Sequence, residues 1–155
     1  MSGFVIRGLD PALFAPLFAL DDEALAALDA RRVVASGPGF PCRVSLEDAV
    51  PGETLILANF EHLPVASPFR SRHAVYVRED VGDPAEYRDT VPEQFRSRML
   101  SLRAFDADGM MLDADLADGR EVEAAIERML RAPDVAYLHA HFAKPGCFAA
   151  RIDRT

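Results

Sequence analysis

The sequence predicts an α+β fold in which a mostly antiparallel sheet of about six to eight strands carries three or four short helices, packed mainly on one face. Two observations favour this fold. Apolar β-branched segments outnumber the helical patterns, and the turns between many of them are too short for the crossovers that parallel strands need. The 155 residues, half of them apolar, have the usual size of one domain, so residues 1–155 are expected to form a single domain.

Two short helices are expected after the N-terminal strand "FVIRGL". Asp10 is a candidate N-cap with Pro11 at the first helical position, and Pro16 is expected to keep this helix short or broken because proline removes a helical hydrogen bond. Acidic residues fill the first turn of "DDEALAALDA", where they favour a second helix. Both helices are expected to cover the sheet.

The middle of the chain predicts strands separated by Gly-Pro, Phe-Pro and Pro-Gly turns. Three strands are expected near Val33, Val44 and Ile56, and "RHAVYVRE" alternates as a fourth. The polar segment "VGDPAEYRDT" is expected to be a loop, followed by a short helix that begins near Pro92.

The last third of the chain predicts a hairpin, the longest helix and two closing strands. Asp108 and Gly109 accept the positive φ angles of a type I′ turn, which places a hairpin in "LRAFDADGMMLDADL". In "DGREVEAAIERMLRAP", Asp118 and Glu121 form an acidic version of a capping box, and an apolar stripe predicts a helix that Pro133 ends. Strands are then expected around "LHAHF" and "CFAARI".

The composition excludes several classes of protein. The net charge is −8, whereas a phosphate backbone binds to a basic face, so no nucleic-acid partner is expected. No window approaches the ~18 apolar residues of a transmembrane helix, and the start "MSGFVIRGLD" lacks the basic and apolar regions of a signal peptide. Cys42 and Cys147 are too few for a disulfide framework and are expected to be reduced thiols. A cytoplasmic protein without a membrane partner is therefore expected.

Two histidines stand two residues apart in the stretch "YLHAHF". On a strand, His139 and His141 project from one face together with Tyr137, so this face is expected to be solvated or to hold a site. The face that Cys147 occupies depends on the following turn. A three-residue "KPG" loop puts Cys147 on the histidine face with Arg151, whereas a two-residue Pro-Gly turn puts it on the opposite face. The sequence leaves both alternatives open.

Three chemistries fit the polar residues of this region. A zinc-type metal site would take His139, His141 and His62 as ligands, together with a thiolate. A nucleophilic thiol, either Cys147 or Cys42, would need an arginine or histidine beside it, and His139 could serve as its acid or base.

The third chemistry is the binding of an anionic small molecule. Guanidinium groups pair with carboxylates and phosphates through two parallel hydrogen bonds. Arg43, Arg70, Arg72 and Arg151 are the candidate ligand-binding residues for such an anion.

Several motifs stand in order along the chain: "GFPCRVSLEDA", "PGE" before an apolar strand, "EHLPVASPFRSRHAVYVRE", "LRAFDADGMM" and "YLHAHFAKPGCFAAR". Together they resemble a bacterial family known only as a domain of unknown function, DUF1203, from about Ile6 to Arg151. The resemblance implies a single-domain protein of this size with no assigned activity. Phe142 departs from the polar residue that the family tends to have there, which argues against a ligand role at this position. The positions that match the family pattern are Cys42, Arg43, His62, Pro68, Arg70, His139, His141, Gly146, Cys147 and Arg151.

Two classes of function remain. The first is a small-molecule or zinc-type metal site, catalytic or not, built from the His-x-His strand and nearby cysteine and arginine residues. The alternative is a non-catalytic interaction protein, such as a homodimer that pairs through a sheet edge or an apolar face, with structural histidines and cysteines. In that alternative the apolar residues of "FAPLFAL" would be exposed.

Overall fold

The structure is a computed structural model that describes residues 3–155. Within these residues the chain forms nine strands, three α-helices and two 3-10 helices. The strands are β1 (Phe4–Arg7), β2 (Ala30–Val34), β3 (Thr54–Leu63), β4 (Ser71–Arg78), β5 (Glu86–Arg88), β6 (Met99–Phe105), β7 (Met111–Asp118), β8 (Tyr137–Phe142) and β9 (Phe148–Arg154). The helices are α1 (Asp22–Ala27), α2 (Glu93–Arg96) and α3 (Val122–Leu130), and the 3-10 helices are Pro11–Leu13 and Ala15–Ala19.

The strands form two antiparallel sheets. Six strands are arranged in the order β5-β1-β9-β8-β6-β7, and three in the order β2-β3-β4. Every pair of neighbouring strands is antiparallel. The prediction of an α+β fold with a mostly antiparallel sheet is confirmed.

The second sheet covers the face of the first that was expected to be solvated or to hold a site. Leu138 and Ala140 of β8 pack with Ile126 of α3 in the main apolar core, on one face of the six-stranded sheet. On the other face, His62 of β3 lies against His139 of β8. Strand β8 is therefore buried on both faces, and the expectation of a solvated histidine face is wrong.

The N-terminal helices pack on the smaller sheet. Phe14 and Leu25 join the apolar residues of β3 and β4 in a second core. Pro16 lies in a 3-10 helix, and the side chain of Asp10 accepts a hydrogen bond from the Ala12 N–H. The short, broken first helix is thus confirmed. Of the residues in "FAPLFAL", Leu17, Phe18 and Leu20 pack against this core together with the buried Phe14, whereas Ala15 and Ala19 are exposed.

Two of the predicted extended or loop segments differ from the structure. Val44 lies in a turn, because the chain reverses at Leu46, whose φ is +56°. The backbone of this turn bonds to two different segments: the Arg43 carbonyl accepts from the Leu9 N–H, and the Val44 carbonyl accepts from the Ala85 N–H. The segment "VGDPAEYRDT" is not only a loop: Glu86–Arg88 forms β5, which pairs with the short strand β1. The sequence did not indicate strand β5, because it is a polar edge strand in which only one of three residues is partly buried.

Two local predictions about caps and turns are also corrected. Glu121 is the N-cap of α3 and makes no side-chain cap bond, because the Asp118 carboxylate instead accepts the N–H of Arg120. The hairpin between β6 and β7 is confirmed, but only Gly109 has a positive φ. The Asp106 carboxylate accepts two N–H groups of this turn, which is the bonding of an Asx turn and not of a type I′ turn.

No helix within residues 3–155 is long and apolar enough to cross a membrane.

Candidate functional site

The loop between β8 and β9 settles the position of Cys147. The Phe142 N–H donates to the Cys147 carbonyl at 2.9 Å, and Gly146, with a φ of +78°, donates to the Phe142 carbonyl at 2.8 Å. The loop therefore has four residues, 143–146, which neither proposed turn length anticipated. Cys147 belongs to the same apolar core as Phe142, away from the histidines, which is the face that the two-residue turn predicted.

Arg43 crosses from its own loop to this hairpin and is almost fully buried. Its Nε donates to the Phe148 carbonyl at 2.8 Å, Nη1 to the Pro41 carbonyl at 2.7 Å, and Nη2 to the Sγ of Cys147 at 3.0 Å. A β-bulge lies at this point of the hairpin, because Ala140 pairs with Ala150 while His141 pairs with Phe148. The side chain is thus fixed by three bonds.

The charge of Arg43 has no carboxylate partner among the residues that the structure describes. Its three hydrogen bonds go to two carbonyls and one thiol, although the side chain is 1% exposed. Burial lowers the pKa of the Arg43 guanidinium, and the negative charge that Cys147 can carry opposes this shift. A buried cation has lost its hydration, and here two carbonyls and a thiol take the place of a carboxylate.

Two guanidinium groups lie near the ring of Phe142. The Cζ of Arg43 lies 5.1 Å from the ring centroid and that of Arg98 lies 5.0 Å from it, within the usual range of cation–π contacts. Arg98 also forms a bidentate ion pair with Asp48, at 3.1 and 3.0 Å. The aromatic ring at position 142 therefore helps to hold two cations close together.

A cavity of about 660 Å³ opens beside these groups. Basic and polar side chains share its wall with apolar ones, and no aspartate or glutamate is among the described residues that line it. This is unusual in a chain with 25 acidic and 17 basic residues. The lining residues that matter here are Arg43, His73, Tyr76, Arg98, Phe142, Lys144 and Cys147.

Three histidines meet on the other face of the hairpin, around Phe148. The ring of His62 lies 6.0 Å from that of His139 and 5.0 Å from that of His141, between centroids. The rings of His139 and His141 are 6.2 Å apart. Phe148 stacks on His62 at 5.3 Å and meets the other two edge to face. The three imidazoles predicted as metal ligands are thus brought together, with an apolar ring among them.

These imidazoles are neutral at physiological pH. Burial lowers the pKa of His139 to about 2, of His141 to about 3 and of His62 to about 4, each from an ordinary 6.5. Positive neighbours, including Arg103, add to the effect of burial. None of the three is therefore poised to act as an acid or base near neutral pH.

The hydrogen bonding of the three rings is incomplete. His141 Nδ1 lies 3.1 Å from the Gly146 carbonyl, whereas the buried Nδ1 atoms of His62 and His139 have no partner. Within residues 3–155, no group of three or more His, Cys, Asp and Glu side chains is arranged to hold a metal ion.

The other predicted site residues are dispersed. Arg70 is exposed and pairs with Glu61 at 2.9 Å, and Arg151 lies over the Tyr137 ring and pairs with Asp153. Arg72 bonds to Asn59.

Cys42 is fully buried in the core of the smaller sheet, where its sulfur accepts the Arg78 N–H at 3.4 Å. Of the four predicted arginines, only Arg43 reaches the cavity.

Sequence reasoning did not anticipate several residues of the cavity wall. Arg98 lies between α2 and β6, and Tyr76 lies in β4. Both residues line the cavity. The departure of Phe142 from the family pattern argues against a ligand role, whereas the structure gives its ring two cation contacts. Lys144 lies in the turn that the sequence predicts between the two closing strands, which is the one signal that could have indicated it.

The fold and this cavity define a class: an α+β protein of two packed antiparallel sheets, with a basic cavity where a hairpin of one sheet meets a strand of the other. The chain matches the family described as "Protein of unknown function (DUF1203)" over residues 39–154. Since this match covers most of the chain, the protein belongs to that family, as the resemblance implied. No curated protein and no solved structure matches the chain.

Proposed function

We propose that the protein binds an anionic small molecule, a carboxylate or a phosphate ester, in the cavity beside Arg43. The observation that carries this proposal is the buried guanidinium of Arg43, which has bonds to two carbonyls and a thiol and none to a carboxylate. An anion in the cavity would offset its charge. Its two remaining N–H groups, together with the basic side chains of Arg98 and Lys144, favour an anionic ligand over a neutral one.

The apolar part of the wall favours a ligand with a hydrophobic body. Leu57, Tyr76, Met99 and Phe142 line the same cavity. Ligand sites usually combine an apolar wall with a few polar groups that fix orientation. The proposed ligand is therefore a small aromatic or aliphatic acid or phosphate, with its charged end toward Arg43.

Cys147 would lie next to the charged end of such a ligand. Its sulfur accepts from Arg43 and the residue lines the cavity, with 8% of its surface exposed. If the site is enzymatic, Cys147 is the candidate nucleophile, and the three clustered histidines, His62, His139 and His141, are on the wrong face to serve as its base.

The test is a comparison of matched acid and amide probes by thermal unfolding. Phenylacetate and phenyl phosphate are expected to raise the melting temperature, whereas phenylacetamide is not. A probe at about ten times its Kd stabilises the protein by about 1.4 kcal/mol. Lys144→Gln removes one charge at the rim and is expected to weaken both anions, while Arg131→Gln, on an exposed surface residue, keeps wild-type binding.

Equal shifts with phenylacetate and phenylacetamide would contradict the proposal, as would anion binding that both charge variants reduce alike. The second result would mean that anions respond only to the net charge of the protein. Arg43→Lys provides a further check, since it keeps the charge but cannot reproduce the planar set of three bonds, and it is expected to weaken both anions.

A second candidate function is a transition-metal site at the three histidines. The observation that supports it is the pair of buried Nδ1 atoms on His62 and His139 that have no hydrogen-bond partner. Neutral imidazoles are good ligands for zinc and cobalt. A shared ion would require the rings to turn, because Phe148 now lies among them.

Cobalt(II) titration tests this candidate, because its visible absorption reports tetrahedral nitrogen coordination. Stoichiometric binding that is lost in His139→Gln and kept in His73→Gln would support it. If neither the zinc-free wild-type protein nor the His73→Gln variant changes its absorption, the metal site is ruled out. The anion proposal is unaffected by either result, because the two clusters lie on opposite faces of the hairpin.

A further inference from the structure

A second cavity lies on the other side of the ion pair between Arg98 and Asp48. Arg98 lines the first cavity, Asp48 lines the second, and Ser97 lines both. The second cavity has a volume of about 440 Å³. Its charge is opposite to that of the first, because Glu47, Asp48 and Glu93 line it and no basic residue is among the described lining residues.

Gln94 supplies an independent sign that this cavity takes a ligand. The residue is 4% exposed and lines the cavity, and neither the Oε1 nor the Nε2 of its amide has a hydrogen-bond partner. Buried amides are almost always bonded, since an unpaired donor and acceptor both lose their hydration. The amide offers an acceptor and a donor side by side, ready for a ligand that has one of each.

From this arrangement we infer that the second cavity binds a small organic ammonium compound with a neighbouring oxygen atom, such as an amino alcohol. The ammonium group donates to the Gln94 Oε1 and faces the carboxylates of Glu47 and Glu93. The ligand oxygen accepts from the Gln94 Nε2. Leu46 and the Tyr87 ring contact the apolar stem of the ligand.

The charge of the cavity favours a cation on two grounds. Asp48 is already neutralised by Arg98. Glu93 takes part in no ion pair among the described residues, and Glu47 has only a long ion pair with Arg78, at 3.8 Å. Burial raises the pKa of Tyr87, and Glu47 and Glu93 raise it further. A cation near the phenol ring would thus meet two carboxylates and an aromatic face.

The inference is independent of the anion site, because it rests on different residues and a different cavity. The ion pair of Arg98 and Asp48 separates the two cavities.

The experiment uses three matched probes on the full chain, with Kd values from calorimetry. Leucinol carries the ammonium group, the hydroxyl and an isobutyl stem; isopentylamine lacks the hydroxyl; N-acetyl-leucinol lacks the charge. Leucinol is expected to bind saturably, isopentylamine several-fold more weakly, and N-acetyl-leucinol not at all.

Variants separate a ligand role of Gln94 from a structural one. Gln94→Met keeps the length of the side chain and removes the unpaired amide, so it is expected to unfold at an equal or higher temperature than the wild type while losing at least tenfold in leucinol affinity. Glu93→Gln is expected to weaken leucinol several-fold, whereas Glu121→Gln, outside the cavity, leaves it unchanged.

Absence of saturable leucinol binding to the wild type would overturn the inference. So would equal affinity for leucinol and N-acetyl-leucinol, because the site would then not select a cation. A marked loss of stability in Gln94→Met would show that the amide has a structural partner, and would overturn it as well.

Discussion

At the scale of single residues, Arg43 is the residue on which the account depends. Its guanidinium donates to the Pro41 carbonyl of its own loop and to the Phe148 carbonyl of the β8–β9 hairpin, and it also bonds to the thiol of Cys147. Lysine cannot form this planar set of bonds, even though it keeps the charge. Arg43 therefore joins the loop to the hairpin and also gives the cavity its charge.

Replacing Arg43 is expected to destabilise the fold. Arg43→Lys leaves one or more of the buried carbonyls unpaired and is expected to lower the free energy of unfolding by about 2 kcal/mol. Arg43→Met is expected to cost more, about 3 kcal/mol, because all three bonds are lost. Urea denaturation measures both.

The matched control is Arg120→Lys, whose parent residue is exposed and pairs with Asp118. Such a surface pair contributes at most about 1 kcal/mol, so the control is expected to unfold almost as the wild type does. If the Arg43 variants unfolded at the same urea concentration as Arg120→Lys, the buried bonds would not contribute as described.

At the scale of elements, strand β8 shows what a sequence can predict and what it cannot. The alternation of the strand correctly assigned Tyr137, His139 and His141 to one face. It could not show that β3 covers that face, because β3 lies far away in the sequence and contacts between sheets leave no local signal. The direction of Cys147 was likewise undecided, since it depended on a four-residue loop that Pro145 and Gly146 did not specify.

The burial of β8 predicts a dependence of stability on pH. His139 and His141 are neutral in the folded protein, with pKa values of about 2 and 3, but each ionises near 6.5 in the unfolded chain. Below pH 6.5 the unfolded state binds more protons, so stability is complete above that pH and falls as the pH drops toward the folded pKa values. At about pH 5 each histidine is expected to cost on the order of 2 kcal/mol.

Unfolding in urea at pH 7 and pH 5 tests this prediction. The difference in stability between the two pH values is expected to shrink in His139→Gln, because one titrating group is gone. His73→Gln changes an exposed histidine and is expected to keep the full difference. A pH dependence that is unchanged in His139→Gln would contradict the assignment.

Strand β7 has a free edge that the structure protects with its own side chains. It pairs only with β6, and Leu112 and Leu116 are 43% and 64% exposed. The carboxylates of Asp113 and Asp115 accept the N–H groups of the residues that follow them, at 2.9 Å in both cases. These N–H groups are therefore not available to a strand of a second molecule.

Removing the two carboxylates is expected to expose the edge. The double variant Asp113→Ala, Asp115→Ala frees two N–H groups beside an apolar strand and is expected to self-associate as concentration rises. Light scattering after gel filtration measures this. The double variant Glu79→Ala, Asp83→Ala makes the same change in net charge at exposed loop and turn positions and is expected to behave as the wild type does. Equal association of both double variants would show that net charge, not the edge, controls it.

At the scale of the whole molecule, the cavity depends on how separate segments meet. The loop that carries Arg43 is fixed by three contacts: the Arg43 N–H donates to the Tyr76 carbonyl, the Leu9 N–H donates to the Arg43 carbonyl, and the Ala85 N–H donates to the Val44 carbonyl. Most elements could be predicted from local patterns of alternation and turns. The cavity could not, because its walls come from segments that only the packing of the two sheets brings together.

Gly8 is one point where this packing leaves no room for a side chain. A Cβ atom at Gly8 would overlap the Val44 carbonyl, so the N-terminal segment and the Arg43 loop would have to separate. Gly8→Ala is expected to cost about 1 to 3 kcal/mol and to weaken anion binding. Gly37→Ala is the control, because a Cβ there meets nothing within 4 Å. Wild-type anion affinity in Gly8→Ala would show that this contact does not position Arg43.

The most direct test of the central claim, a cavity that selects anions at Arg43 and Cys147, is the rate of alkylation of Cys147 by two reagents that differ in charge. Iodoacetate is anionic and iodoacetamide is neutral, and the two are similar in size. With Cys42→Ala as the background, mass spectrometry follows Cys147 alone. The account predicts that the ratio of the iodoacetate rate to the iodoacetamide rate is several-fold higher at Cys147 than for free cysteine, and that phenyl phosphate slows both reactions. A ratio equal to or below that of free cysteine, with no protection by phenyl phosphate, would contradict the account.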